Sequence, residues 1–256
     1  LYSFAKANKI QLGQWDYVNL THKAERNFIG LNNGILDQTS IVFGTKNKLL
    51  HIDTKGQKIS LIPDNAEEEY RIIVSFSGYT RELTTSGYNS RVDECREAAG
   101  KLGQLTNNDD VNILSDIPPE AYRRVKDKLS PLLCKRSEHY FDECQRVING
   151  VEAWKTGDLG SFGKLMNQSC NSSIDKYECG MEAICNLQKI MSNEHGVLGS
   201  RFMGGGFGGC VVGFVETEFA GKAAENIHKA YLDAHPEVAG KAKTFLARSD
   251  DGVRFL

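Results

Sequence analysis

The chain has 256 residues, 40% of them apolar and 25% charged, with a formal net charge of −2 at pH 7. That length can bury one large core or two modest ones, and the near-neutral balance leaves no electrostatic footprint for nucleic acid or an anionic membrane. The longest apolar runs, "CVVGFV" and "YRIIVSF", fall far short of a bilayer span, and the seven scattered cysteines form no CxxC pair. Such a set reads as the reduced thiols of a cytoplasmic protein rather than as a disulfide framework or a zinc site.

Leu1, Phe4 and Ala5 already lie at helical spacing with no capping residue before them. There is no initiator Met and no basic-then-apolar leader, so the expectation is a chain with further sequence upstream. Residues 1–30 read as two helices broken near Gly13. "GILDQTSIVFG" continues as a short helix bounded by Gly34 and Gly44. "KLLHID" and "QKISLIP", split by "TKG", read as a β-hairpin. The polar "PDNAEEE" is the best candidate for a domain boundary and divides the chain into 1–68 and 69–256.

Beyond it, "YRIIVSFSG" is a buried strand that leads into a long helical region. Apolar positions recur at helical spacing over 88–103 and over 137–155, the latter as Tyr140, Phe141, Cys144, Val147, Ile148, Val151 and Trp154. Two further helices follow, over 158–173 and 178–193. The period then switches: strand "GVLGSRFM", a glycine run, strand "CVVGFV", a helix over 218–234, and strand "KTFLAR". This order predicts an α+β sandwich, with helices on one face of a mostly antiparallel sheet.

The run Gly204, Gly205, Gly206, Phe207, Gly208, Gly209 formally matches the dinucleotide fingerprint GxGxxG. That fingerprint must open a helix whose N-terminus faces a pyrophosphate, whereas a β-rich run follows here. Two readings stay open. The glycines supply only positive φ and close packing, or they form a backbone that something must approach closely. Asp37 stands in an otherwise apolar run just after Gly34. Taken alone, it is a helix-start acid complementing the dipole. Tyr88 precedes an amphipathic helix and, alone, reads as a packing tyrosine.

Together, "GILDQ", "SGYNSR" and "GSRFMGGGFGGCVVGFV" occur in the order and at roughly the spacing found in galactokinases of the GHMP sugar-kinase family. The helical "AERNFIGLNNGILDQ" also resembles the family's stretch leading to its catalytic aspartate. The resemblance covers essentially the whole chain, and its most specific part is Arg201 through Cys210, which follows the family's third signature. It implies the end of a ribosomal-S5-like N-terminal domain over 1–68, then a ferredoxin-like C-terminal α/β sandwich over 69–256. It also implies a kinase that phosphorylates the anomeric hydroxyl of a galactose-like sugar from ATP and Mg2+. Asp37 matches the catalytic aspartate against the C1 hydroxyl, and an ionised carboxylate can take a proton as attack proceeds. Phosphoryl transfer otherwise asks mainly for positioning and charge stabilisation. Gly34 matches the position where backbone nears the sugar, and Tyr88 the tyrosine that hydrogen-bonds a sugar hydroxyl. The 204–209 loop matches the motif that approaches sugar and phosphates from the second domain.

The family's phosphate-loop motif, Pro-x-x-x-Gly-Leu-Ser-Ser-Ser, does not occur in these residues, nor does its first signature with the sugar-binding carboxylate and catalytic arginine. The ligands of ATP and Mg2+ are therefore expected mainly outside them, and the chain alone is expected to be inactive. Within the matched region, "QSCNSSIDKYECGMEAI" places Cys170 where typical galactokinases carry His and Lys176 where they carry a second Asp. "YECG" is similar to the arabinose- and galacturonate-kinase branch, which leaves the sugar open. Cys170, Cys179 and Cys185 read as packing thiols. A rival from another class is a galactokinase-like sugar sensor without turnover. A mevalonate-type kinase of the same superfamily is disfavoured by "SGYNSR".

Overall fold

A computed structural model describes residues 1–66, 69–80 and 87–254. The chain divides into two compact units, Leu1–Asn65 with Ser249–Leu256, and Ala66–Arg248.

The first unit begins with α1 (Tyr2–Ala7) and α2 (Gln14–Ala24). Asn8 follows the end of the first helix, and Gly13 caps the start of the second, its N–H donating to Asp16 Oδ2 at 2.8 Å. Five residues of π-helix, Glu25–Ile29, extend α2, and Gly30 closes them at φ +77°. The strong helix α3 (Leu36–Phe43) follows. Val18, Ile35 and Phe43 form a small core with Trp15, Val42, Leu50 and Ile59 packed on it. The hairpin β1 (Lys48–Asp53) and β2 (Lys58–Pro63) is antiparallel. Its turn is held by Asp53 Oδ1, which accepts from the N–H groups of Lys55 (3.1 Å) and Gly56 (2.9 Å).

The final residues depart from the expected division, which ran the second domain to residue 256. They pack with the first unit: Gly252 N–H donates to Gly44 O (2.8 Å) and Val253 N–H to Ile41 O (2.7 Å). Lys46 N–H donates to Asp251 Oδ1 and Asn47 N–H to Ser249 Oγ, at 2.9 and 3.0 Å. These bonds use the backbone freed where α3 ends, a demand that any sequence can meet and that no local pattern announces.

The second unit is an α+β sandwich. Its strands are β3 (Tyr70–Phe76), β4 (Val197–Phe202), β5 (Cys210–Glu216) and β6 (Lys243–Ala247). They lie in the order β4-β5-β3-β6, every pair antiparallel. The strand and helix order predicted an α+β sandwich with a mostly antiparallel sheet, and with two crossover connections this is the ferredoxin-like arrangement that the family resemblance implied. Between β3 and β4 lie α4 (Tyr88–Thr106), α5 (Pro119–Val125), α6 (Pro131–Lys155), α7 (Leu159–Asp175) and α8 (Glu182–Ser192); α9 (Ala220–Ala234) precedes β6. Burial alternates along β5, with Val211, Gly213 and Val215 inward. Ile73, Val211 and Val215 meet Ile184, Leu187 and Met191 of α8 and Ile227 of α9 in the main core. Each such side chain contributes roughly 1.5–3 kcal/mol on burial. A second core joins α4, α5 and α6 through Ala98, Leu102, Tyr122 and Leu133.

α6 starts six residues before its apolar periodicity becomes visible. Ser130 caps it, accepting from Leu133 N–H, and Pro131 occupies its first position, where a missing N–H costs nothing. α7 meets β4 backbone to backbone. A Cβ on Gly199 would lie 2.0 Å from Gly163 O, and one on Gly163 would lie 2.2 Å from Leu198 O.

Candidate functional site

The glycine run joins β4 to β5, and Met203 N–H closes the turn onto Cys210 O at 2.8 Å. Gly204, Gly206, Gly208 and Gly209 all take positive φ, at 67°, 75°, 138° and 83°, a region that L side chains enter only with strain. Three surfaces hold the loop. Ser77 N–H, just past β3, donates to Gly209 O, and Gly209 N–H donates to Tyr79 O, both at 2.9 Å. Behind the loop, Met181 N–H donates to Gly206 O at 2.8 Å. A Cβ on Gly206 would sit 2.8 Å from the Phe202 ring and 3.0 Å from Gly180 N. In front lies Tyr88, the first residue of α4. Its ring would be 3.2 Å from a Cβ on Gly205.

The fold therefore brings two of the sequence-predicted features together in the second unit: the tyrosine and the glycine loop touch. Among the described residues, no backbone acceptor takes the N–H groups of Gly205, Gly206 and Phe207. Amides without a backbone partner suit an anionic or hydroxyl-bearing ligand. Because β5 follows the loop directly, the dinucleotide match has no helix to open. Of "SGYNSR", Ser86 lies outside the described residues.

Gly34 and Asp37 lie in the first unit. Asp37 is in the first turn of α3 and is exposed, where its charge complements the helix dipole. The loop before it is braced from the π-helical turn: Glu25 Oε2 accepts from Gln38 Nε2 at 2.8 Å and also from Asn33 Nδ2. The ring of His22 bonds Asn33 O at 2.9 Å. Nothing lies within 4 Å of where a Cβ on Gly34 would stand, and its φ is outside the left-handed region. Neither packing nor backbone conformation requires glycine there.

Sequence reasoning left out the groups that fasten β4 in place. Arg201 Nη1 donates to Ser169 Oγ at 2.7 Å and lies 3.5 Å from Glu143 Oε1. Burial pushes the Glu143 carboxyl up. The Ser169 hydroxyl and the Arg146 and Arg201 guanidiniums outweigh it and hold the group below its ordinary range. Arg146 is an i, i+3 neighbour of Glu143, but Ser169 and Arg201 lie 26 and 58 residues from it, so no local pattern shows them. Lys176 pairs with Asp142 (2.7 Å) and Glu138 (3.4 Å). Cys170 is fully buried, and burial pushes its thiol up, as it does the thiol of Cys179, to about 11.

His139 of α6 bonds Ser172 Oγ of α7 at 3.0 Å and stacks on Tyr177. Burial lowers it from 6.5 to about 4; Glu143 opposes the shift, and Arg146, Arg201 and Lys176 reinforce it. Between pH 6.5 and 4 the unfolded chain binds a proton that the folded chain refuses, so stability falls as pH falls through this window. His139→Gln is expected to flatten that slope in urea unfolding measured across it. Equal slopes for the two proteins would contradict this.

Among the described residues no group of three or more His, Cys, Asp or Glu is placed to hold a metal. No described helix is long and apolar enough to cross a membrane. The family of GHMP kinase C-terminal domains matches residues 151–234. Over its whole length the chain is 38% identical to a galacturonokinase of Arabidopsis thaliana, covering 62% of that protein. Over 96% of its length it is 33% identical to a galactokinase of Clostridium acetobutylicum, again covering 62%. The galactokinase of Lactococcus lactis, solved with galactose, superposes over 99% of this chain and 64% of its own with a TM-score of 0.86 at 30% identity. A mevalonate kinase of L. major shares the fold at 18% identity and a TM-score of 0.53. The chain thus spans a little over three fifths of the length of the curated relatives it matches; it is similar to galacturonokinase and galactokinase, and its residues 151–234 match the GHMP kinase C-terminal domain.

Proposed function

We propose that this chain forms part of a sugar 1-kinase, which transfers the γ-phosphate of ATP to the anomeric hydroxyl of galactose or a related sugar. The carrying observation is the closeness of the Tyr88 ring to Gly205, in a loop where, among the described residues, no backbone acceptor takes the N–H groups of Gly205, Gly206 and Phe207. In this reading Tyr88 orients a sugar hydroxyl, and the 204–209 loop approaches the sugar and the transferring group. Asp37 takes the proton of the attacking hydroxyl. Gly34 leaves room for the sugar, which accounts for a glycine that nothing in the chain demands. The described residues assemble no Mg2+ site, and no step assigned to them passes through the metal. The phosphate-loop motif is likewise not among these 256 residues, so the chain by itself is expected to release no ADP. In the cell the reading is of a cytoplasmic enzyme whose partners are small molecules.

A second sugar is favoured by one observation. Identity is higher to the galacturonokinase, at 38%, than to the Clostridium galactokinase, at 33%, and "YECG" at 177–180 agrees with that branch. The test is coupled ADP release by the complete polypeptide with galactose, arabinose or galacturonate. Sugar-dependent turnover with one of them supports the kinase reading and names the substrate. Ligand binding without turnover supports the non-catalytic sensor instead.

A further inference from the structure

Among the described residues, Arg136 on α6 is one of the largest fully buried side chains, with no solvent exposure. A guanidinium is withdrawn from water at high cost unless its donors are engaged, and here they are. Nε donates to Glu94 Oε2 and Nη2 to Glu178 Oε2, both at 2.6 Å, and Nη1 donates to Lys176 O. Burial opposes the charge, but the hydrogen bonds to Glu178 and Glu94 outweigh it and hold Arg136 above its ordinary pKa. Arg136 and Lys135 draw the Glu178 carboxyl down to about 2.

These partners lie on the two walls that hold the glycine loop. Glu94 belongs to α4, whose first residue, Tyr88, rests on Gly205. Lys176 and Glu178 open the short segment that continues through Gly180, at φ +103°, to Met181. That segment grips Gly206 by the Met181 N–H bond. Glu178 itself takes φ +56°, a conformation that a non-glycine residue keeps only when its surroundings enforce it. Arg91 of α4 reaches the same two carboxylates, at 2.8 Å from Glu94 and 3.9 Å from Glu178.

We infer that Arg136 is a positioning residue, whose three-armed guanidinium clamps α4 to the 176–181 segment and so fixes Tyr88 and the 204–209 loop relative to each other. The kinetic consequence rests on the sugar-kinase reading above; the structural consequence does not.

Two variants of the complete polypeptide test it. Arg136→Lys keeps a cation but lacks the fork. The triple variant Glu94→Gln, Arg136→Met, Glu178→Gln removes all three charges together, so that no carboxylate is left without its partner. Amide hydrogen exchange is read at Met181 and Gly209, which report the loop, and at Ile227 of α9, which reports the core. At least one variant folds with a native melting profile if either replacement is tolerated. In each folded variant, exchange at Met181 and Gly209 is expected to rise roughly tenfold or more with Ile227 unchanged. KM for the sugar is expected to rise roughly tenfold, more than kcat falls. Wild-type exchange at Met181 and Gly209 in either variant would overturn the inference. So would equal acceleration at Ile227, or failure of both variants to fold, since either marks a purely structural role. If the wild-type protein turns over no sugar, the kinase reading fails while the exchange comparison still decides the clamp.

Discussion

Asp37→Asn is expected to lower kcat for sugar phosphorylation by roughly 10²–10⁴-fold, the usual worth of a general base. KM for the sugar should change little, because the amide keeps the size of the carboxylate and can still hydrogen-bond. The site makes this a clean substitution. Asp37 is exposed in the first turn of α3, and Gln38 and Asn33, through Glu25, brace the loop without using the Asp37 side chain. The folded state should therefore survive, with a change of only a few tenths of a kcal/mol from the weakened helix-dipole interaction. Steady-state kinetics together with sugar binding decide the matter. An unchanged kcat would remove Asp37 from the chemistry, and binding without turnover in the wild type would place the protein with sensors.

Gly199→Ala is the second large effect, and it concerns stability. The new methyl would meet the Gly163 carbonyl at 2.0 Å and its carbon at 2.4 Å. Both are backbone atoms of α7 and cannot rotate aside as a side chain could. The helix must lift from β4, which also loosens the bond from Ser200 N–H to Asn167 Oδ1. A loss of about 3 kcal/mol or more is expected in denaturant unfolding, and Gly163→Ala should behave alike. Gly221 supplies the control. A Cβ there meets nothing within 4 Å in α9, and Gly221→Ala should stabilise by about 0.4–1 kcal/mol. A Gly199→Ala protein within about 1 kcal/mol of wild type would show that the two backbones do not meet this closely.

Much of the fold was legible because each element carries its own period. The short apolar, β-branched runs "YRIIVSF" and "CVVGFV" read as strands, and the spacing of Tyr140, Phe141, Cys144 and Val147 as the body of α6. What stayed hidden depends on partners distant in sequence or on unusual backbone. The π-helical turn at Glu25–Ile29 follows neither helical nor strand spacing, and α5 is too short to display a period beside its two prolines. The family motifs singled out Asp37, Gly34, Tyr88 and the glycines as candidates. The contact of Tyr88 with Gly205 joins residues 117 positions apart, and the Arg136 cluster spans 42 positions on either side. Such pairings come from tertiary packing, and a charged residue in an amphipathic helix gives no sign of being the one turned inward.

The backbone bonds from Gly252 and Val253 to Gly44 and Ile41 have a consequence for synthesis. A ribosome delivers the first 65 residues long before the last few, so the unit that carries Asp37 must wait, with the C-terminal end of α3 unmatched, while the whole second unit emerges. The second unit's stretch of chain is continuous and can fold as soon as it is out. Of the two units, the one made earlier is therefore closed later, and a ribosome stalled between residues 248 and 252 would present the second unit's stretch whole while the end of α3 still lacked these bonds.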